Sequence, residues 1–219
     1  MTTFTHSNDE FHEARFAWER QYRKGYFIHE PVHHELADIA HRFKSLGVKR
    51  VLDHGCGSGR HTVYLAVKGF EVFGLDIAPT GLSITIQKLA SEGLTGHVTL
   101  ADMLQLPYED DFFDAIISVR VIHHNRLAVI RETVEEMQRV LKPGGLIWVT
   151  VPVPKGHGSK RGREIEPGTW VPSGGIEKGL PHHLFTEERL RKLFHRFSIL
   201  ELHVFSLSHY SLLAENPKG

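Results

Sequence analysis

From Lys49 to Val151 the chain alternates short apolar runs with stretches whose apolar residues return at steps of three and four. Arg50–Leu52 reads as a first strand, and Ser58–Lys68 as a helix closed by Gly69. Phe70–Leu75 reads as a second strand ending at Asp76, and Thr80 is placed to cap a helix that stops near Gly93. Val98–Ala101, ending at Asp102, and Ala115–Val119 read as the third and fourth strands. Leu127, Ile130, Val134, Met137 and Leu141 then mark one face of an amphipathic helix. "KPGG" at Lys142–Gly145 breaks that helix, and Leu146–Val151 is a fifth strand. Strands alternating with helices at this pitch predict βαβ units, an α/β class and a parallel sheet.

The flanks carry other patterns. Residues before about Lys44 are helical in period, with Phe11, Phe16, Trp18, Tyr22 and Tyr26 as aromatic anchors. Pro152–His183 holds seven glycines and five prolines with little periodicity, the pattern of a lid, a binding loop or a disordered segment. Thr186–Phe197 is helical, with Leu190, Leu193, Phe194 and Phe197 on one face, and Ser198–Ser206 and Tyr210–Glu215 read as closing strands. No repeat interrupts this order, and 219 residues suit a single domain.

Composition narrows the partners. The 26 basic and 26 acidic residues cancel, so no global field steers the chain to nucleic acid or an anionic membrane. One cysteine excludes an internal disulfide and an all-cysteine zinc site. The 17 histidines make the chain cationic somewhat below neutral pH. "MTTFTHSNDEFHEARF" lacks the apolar centre of a signal peptide, and no run has the length of a membrane span. A soluble, cytoplasmic protein, monomer or homodimer, is expected.

The candidate chemistry begins at Val51–Arg60, "VLDHGCGSGR", where the first strand feeds a loop containing Gly55, Gly57 and Gly59. Ligands of open α/β sheets sit beyond the carboxyl ends of the strands. The spacing is Gly-x-Gly-x-Gly; a dinucleotide loop needs a third glycine where Arg60 stands. A pyrophosphate beside Asp53 is also electrostatically poor, whereas a ligand bearing an ammonium group suits it. Gly57 and Gly59 let backbone approach the ligand closely. Asp76, 21 residues past Gly55, is placed to accept from both hydroxyls of a ribose, and Asp102 from an exocyclic amine. Singly, each aspartate could cap a helix or begin a turn. At the ends of successive strands they describe one ligand with an amino-acid end, a ribose and an adenine, which is S-adenosylmethionine.

"VLDHGCGSGR", "VFGLDI", "LADMLQLPYEDDFFDAIISVRVIHH" and "LKPGGLIWVTVP" together resemble the class I S-adenosylmethionine-dependent methyltransferases of small-molecule type, similar to the methyltransferase-11 and -25 groups. The resemblance covers Lys49 to Val151 and, more loosely, the carboxyl-terminal end. It implies a Rossmann-like, doubly wound sheet of seven strands, mostly parallel with the last antiparallel. It implies Asp53, Gly55, Cys56, Gly57 and Gly59 around the methionine part of the cofactor. Asp76 would meet the ribose, Ile77 the adenine face, and Asp102 with the Met103 backbone the adenine edge. Ser118 and Val119 would lie near the sulfur. Relatives with a similar amino-terminal helix fold it over the cofactor as a lid, which makes Trp18 and Tyr22 cover residues. His54 stands where the family has an apolar residue, and Cys56 reads as a small group filling a tight turn.

Methyl transfer from a sulfonium needs alignment, exclusion of water and sometimes removal of a proton, but no protein nucleophile. The segment after the fourth strand, "SVRVIHH", has Ser118 but not the Pro-Pro-aromatic sequence of enzymes that methylate base amines. A single cysteine, in the cofactor loop, argues against cytosine C5 and arsenite methylation. His123 and His124 are candidate general bases; as sequence neighbours on a helix or strand they would point apart, leaving one of them to pack. "HEPVH" at His29–His33 matches a zinc motif in form, but Pro31 breaks the helix it needs, and no metal site is expected. His182 and His183, just before the last helix, are read by default as surface histidines, with a substrate contact as the alternative. The basic run Lys155–Arg163 could grip an anionic acceptor or RNA phosphates, but Glu164, Glu166 and Glu177 dilute it, and it is read as a solvated mobile loop. The expected organisation is a lid at residues 1–44, a cofactor-binding core at 45–153, a loop over the acceptor pocket at 154–184, and a closing helix and strands at 185–219. The expected activity is methyl transfer to a small-molecule acceptor, without nucleic acid or membrane partners. A methyltransferase of RNA or protein and a non-catalytic S-adenosylmethionine-binding module remain open.

Overall fold

The computed structural model describes residues 8–154 and 162–218. Two helices, α1 (Asn8–Arg23) and α2 (Leu36–Ser45), precede β1 (Arg50–His54) and α3 (Arg60–Val67). Then follow β2 (Glu71–Asp76), α4 (Pro79–Ser91), β3 (His97–Leu100), β4 (Phe113–Val119), α5 (Leu127–Val140) and β5 (Leu141–Pro152). A small insert, β6 (Gly162–Glu166), β7 (Thr169–Pro172) and β8 (His182–His183), leads to α6 (Glu187–Leu193), β9 (Ser198–Phe205) and β10 (His209–Glu215). The main sheet has the order β3-β2-β1-β4-β5-β10-β9, with β10 antiparallel to both its neighbours and the other pairs parallel. The order reverses between β1 and β4, which opens a crevice at their carboxyl ends.

The central strands are apolar on both faces because both faces are covered. Val51, Ala115, Ile117 and Trp148 pack against Leu36, Phe43 and Leu65 of α2 and α3. Their strand neighbours Leu52, Ile116, Ile147 and Val149 turn the other way, onto Ile130 and Met137 of α5 and Leu190 of α6. Each such buried aliphatic side chain contributes about 1.5–3 kcal/mol. Trp148 is fully enclosed, and its indole N–H donates to Ser211 Oγ at 3.0 Å, so its one polar atom is satisfied.

Four local expectations are corrected. The segment expected to be irregular contains the antiparallel sheet β6-β7-β8. Its first turn is Pro167-Gly168, with Gly168 at φ +92°, a pairing that suits the two central positions of a turn demanding positive φ at the second. Lys155–Arg161 of the basic run lies outside the described residues. The two ends of the insert meet, because Phe185 N–H donates to Pro152 C=O at 3.0 Å. Lys142–Gly145 does end α5 but runs within β5, fastened by Asn216, whose amide donates to Leu141 C=O and whose carbonyl accepts from Gly144 N–H. Thr80 lies inside α4, after a cap at Ala78 and Pro79 in the first helical position, and its hydroxyl donates to Glu19. Phe16 and Tyr26 are exposed rather than anchoring.

Candidate functional site

A cavity of about 340 Å³ occupies the crevice between the ends of β1, β2 and β4. That volume lies in the range of small-ligand sites. Of the residues expected to hold the cofactor, Gly55, Cys56, Gly57, Asp76 and Ile77 line it, as do Asp102, Met103, Val119, Trp18 and Tyr22. His123 and His124 line it as well. Asp53, Gly59 and Ser118 stand behind the wall.

The glycine loop is clipped to the end of β2. Gly55 N–H and Cys56 N–H both donate to Leu75 C=O, at 2.8 and 2.9 Å. Asp76 accepts from Gly57 N–H and Ala78 N–H, each at 2.8 Å. Burial raises the Asp76 pKa, against the pull of those backbone donors. Gly57 has φ +56°, and a Cβ there would overlap the Tyr22 hydroxyl; at Gly55, φ +73°, it would overlap Val121. The loop is therefore a cradle whose faces are backbone, as a closely held ligand requires. Asp53, expected beside the methionine part of the cofactor, lies beneath the loop and outside the cavity lining. Its Oδ2 accepts from Thr62 Oγ1 at 2.6 Å, tying the loop's stem to α3, and burial raises its pKa to about 6 against that hydrogen bond. Ser118 likewise turns back, pairing with His54 Nδ1 at 3.2 Å, and burial holds His54 at about 4. Burial, aided by Asp53, pushes the Cys56 thiol well up, so it packs as a neutral group.

The amino-terminal helix roofs one side. Glu19 of α1 accepts from Thr80 N–H at 2.9 Å and from Thr80 Oγ1 at 2.6 Å, which fastens α1 to the start of α4. Tyr22 is buried against the loop, and burial followed by the Asp76 charge raises its phenol well above the usual value. Arg60, the residue that excludes a dinucleotide loop, pairs with Glu30 and donates to Pro31 C=O. Ser58 Oγ donates to Phe27 C=O at 2.9 Å, closing the chain after α1 down onto the loop. His29–Pro31 is non-helical, and His33 is buried between Trp148, Phe205 and the ring of His34, which accounts for the "HEPVH" stretch by packing.

Beyond β4 the chain leaves the sheet through Arg120, at φ +60°, whose N–H donates to Thr150 Oγ1 at 3.0 Å. His123 and His124 then sit in a turn, not on a strand or helix, with His124 N–H donating to Val121 C=O. That turn corrects the expectation that the two rings diverge. Their centroids are 3.9 Å apart, and Trp18 meets His124 edge-on at 4.9 Å. His182 and His183 are buried, not on the surface. β8 delivers His182 to His124, centroids 4.6 Å apart, and His183 N–H donates to His123 C=O at 2.7 Å. His183 itself faces away, to Thr169 Oγ1 at 2.7 Å, and burial holds it at about 4. Sequence reasoning missed Glu177 and Arg120 as wall residues and set His182 on the surface by default. The His182–His183 doublet was the only trace, and nothing local shows that it folds back on residues 59 positions earlier.

The methyltransferase domain family matches residues 51–145. Methyltransferase GfsG of Streptomyces halstedii is 39% identical over 112 residues, 49% of this chain and 39% of that protein. The tRNA (carboxymethyluridine(34)-5-O)-methyltransferase of Arabidopsis thaliana is 38% identical over 106 residues, 46% of this chain and 23% of that protein. The matches thus span less than half of either relative. Among solved structures, the 1,6-didemethyltoxoflavin-N1-methyltransferase of Burkholderia thailandensis, with bound 1,6-didemethyltoxoflavin and S-adenosylhomocysteine, has a TM-score of 0.74 at 17% identity. It covers 99% of this chain and 93% of its own, a likeness of fold. The matched residues carry the glycine loop, Asp76, Asp102 and the histidines after β4, so the similarity to the methyltransferase domain family falls on the site itself.

Proposed function

We propose that this protein transfers a methyl group from S-adenosylmethionine to a small-molecule acceptor held between the glycine loop and the turn after β4. The observation that carries the reading is that the loop, Asp76, Asp102 and the histidines after β4 share one roofed cavity. Bound cofactor would supply the activated methyl group and its leaving sulfide. The backbone of Gly55–Gly57 would hold its amino-acid end, and Asp76 would exchange part of its backbone partnership for ribose hydroxyls. Asp102, whose Oδ1 accepts from Leu104 N–H at 2.9 Å, keeps a second carboxylate oxygen for the base. α1 would exclude water through Trp18 and Tyr22.

On the acceptor side, the charged residues of the wall are mixed in sign: Glu30, Arg60, Arg120 and Glu177. That lining suits a compact polar molecule better than a phosphate backbone, which calls for a basic track. Catalysis is mainly by positioning. Where the acceptor must lose a proton, the histidine cluster is the group within reach.

Two experiments test this. S-adenosylmethionine and S-adenosylhomocysteine should raise the melting temperature while NAD does not, and Asp76→Ala should abolish the rise. Methyl-labelled cofactor with cell extract should place label in the small-molecule fraction. Label in RNA or protein overturns the acceptor class, and label in no fraction favours a binding module.

A further inference from the structure

Three imidazoles converge on the acceptor end of the cavity from places far apart in sequence. One nitrogen each of His123, His124 and His182 lies within 4.8 Å of the other two, and all three side chains are buried. Glu177, on the cavity wall, adds a carboxylate, with its oxygens 3.9 Å from His124 Nε2 and 3.5 Å from His182 Nε2. Two elements fix the set. The turn after β4 supplies a ligand pair, and the insert supplies His182 and Glu177, braced by the hydrogen bond from His183 N–H to His123 C=O.

We propose that His123, His124 and His182, with Glu177 beside them, bind one divalent transition-metal ion of the zinc type, with an open position toward the cavity for an oxygen of the acceptor. This rests on the proposed acceptor site but not on methyl transfer. Imidazole nitrogens and one carboxylate are the donor set such ions prefer. At zinc–nitrogen distances of about 2.0–2.1 Å the nitrogens of a tetrahedral site are about 3.4 Å apart. The widest pair here must close by at most about 1.4 Å, a shift that small χ rotations of the facing imidazoles supply. The net charge also favours this occupant. A dication facing one carboxylate is compensated in part, whereas an anionic ligand would meet Glu177 in a half-buried setting. Bound there, the ion would orient an acceptor hydroxyl or carbonyl and lower the pKa of a hydroxyl, whose proton passes to solvent. A proton would then not need to be taken by an imidazole directly.

The test uses untagged full-length protein stripped with chelator and titrated with Co²⁺ alone. A single equivalent should produce the visible absorption of a four- or five-coordinate cobalt–imidazole site, and one equivalent of Zn²⁺ should erase it. His182→Gln should weaken Co²⁺ binding at least 100-fold, and Glu177→Gln about 10-fold. His29→Ala, at the "HEPVH" stretch, should leave it unchanged. S-adenosylhomocysteine should still raise the melting temperature of His182→Gln, which shows the variant folded and the cofactor site intact. Absence of a cobalt spectrum in the wild type, or the same spectrum and affinity in His182→Gln, overturns the proposal. Loss of the S-adenosylhomocysteine response in the wild type would instead strike the cofactor reading and leave the cobalt result to stand or fall separately.

Discussion

Asp53→Asn isolates the energy of a carboxylate buried under the glycine loop. Asp53 is 1% exposed, and its Oδ2 accepts from Thr62 Oγ1. Burial raises its pKa from 3.8 to about 6. A raised acid pKa means that the folded state binds the proton more tightly than the unfolded chain. The stability this confers is fully present below pH 3.8 and is lost as pH rises through 6. A difference of about two pKa units corresponds to about 3 kcal/mol. Asparagine keeps an oxygen for Thr62 and nearly the same shape, but does not titrate. The stability of Asp53→Asn relative to wild type should therefore climb by about 3 kcal/mol between pH 4 and pH 8, or about 6–12 °C in melting temperature. Urea unfolding of both proteins at pH 4, 5, 6, 7 and 8, without ligand, reads this difference directly, because every other titrating group cancels. A difference that stays flat, or falls with rising pH, would refute the buried-charge argument.

The remaining predictions concern the histidines, the loop and the lid. Burial holds His33, His54 and His183 at about 4 and holds His61 well below its ordinary value, so their stability is present above about pH 6.5 and is lost as pH falls toward 4. Allowing for the opposite sign of Asp53 and Asp76, unfolding at pH 5 should take up about two to three protons net, measured from the slope of unfolding free energy with pH; release of protons would contradict it. Gly57→Ala places a methyl group on the Tyr22 hydroxyl at φ +56° and should cost about 1–2 kcal/mol and at least 10-fold in S-adenosylhomocysteine affinity. An unchanged ligand-induced melting shift would sink that account of the loop. Glu19→Gln removes a charged acceptor from Thr80 and should speed proteolytic cleavage within α1 about 10-fold, with the melting of the core little changed. Equal cleavage rates would show that the latch does not hold α1.

What was legible in the sequence tracks what is local. The strands from Arg50 to Val151 announce themselves because burial on both faces leaves apolar runs, and the aspartates stand at their ends because the sheet is parallel. Ligand-side geometry was less accessible. Asp53 sits two residues before Gly55, yet the pleat turns it to Thr62, a contact that depends on α3 folding back. The small sheet was hidden because its strands are four, five and two residues long and no period can build up in them. The Pro167-Gly168 turn was its one clear signal. His182 illustrates the limit best: its neighbours His123 and His124 come from the turn after β4, and long-range packing leaves no trace in spacing.

The meeting of Pro152 and Phe185 has a consequence for how the proposed acceptor site is built. The insert leaves the sheet and returns to it within one hydrogen bond, so its 32 intervening residues form a closed detour from β5 to α6. Lengthening or replacing such a detour adds only slowly to the entropy of closing it, about 0.6 kcal/mol per doubling. The glycine loop, the aspartates and α1 all lie outside it. The part of the proposed acceptor site that the insert supplies is in this sense detachable. Transplanting residues 153–184 between relatives would exchange Glu177 and His182 as a unit, while the proposed cofactor cradle stays in place.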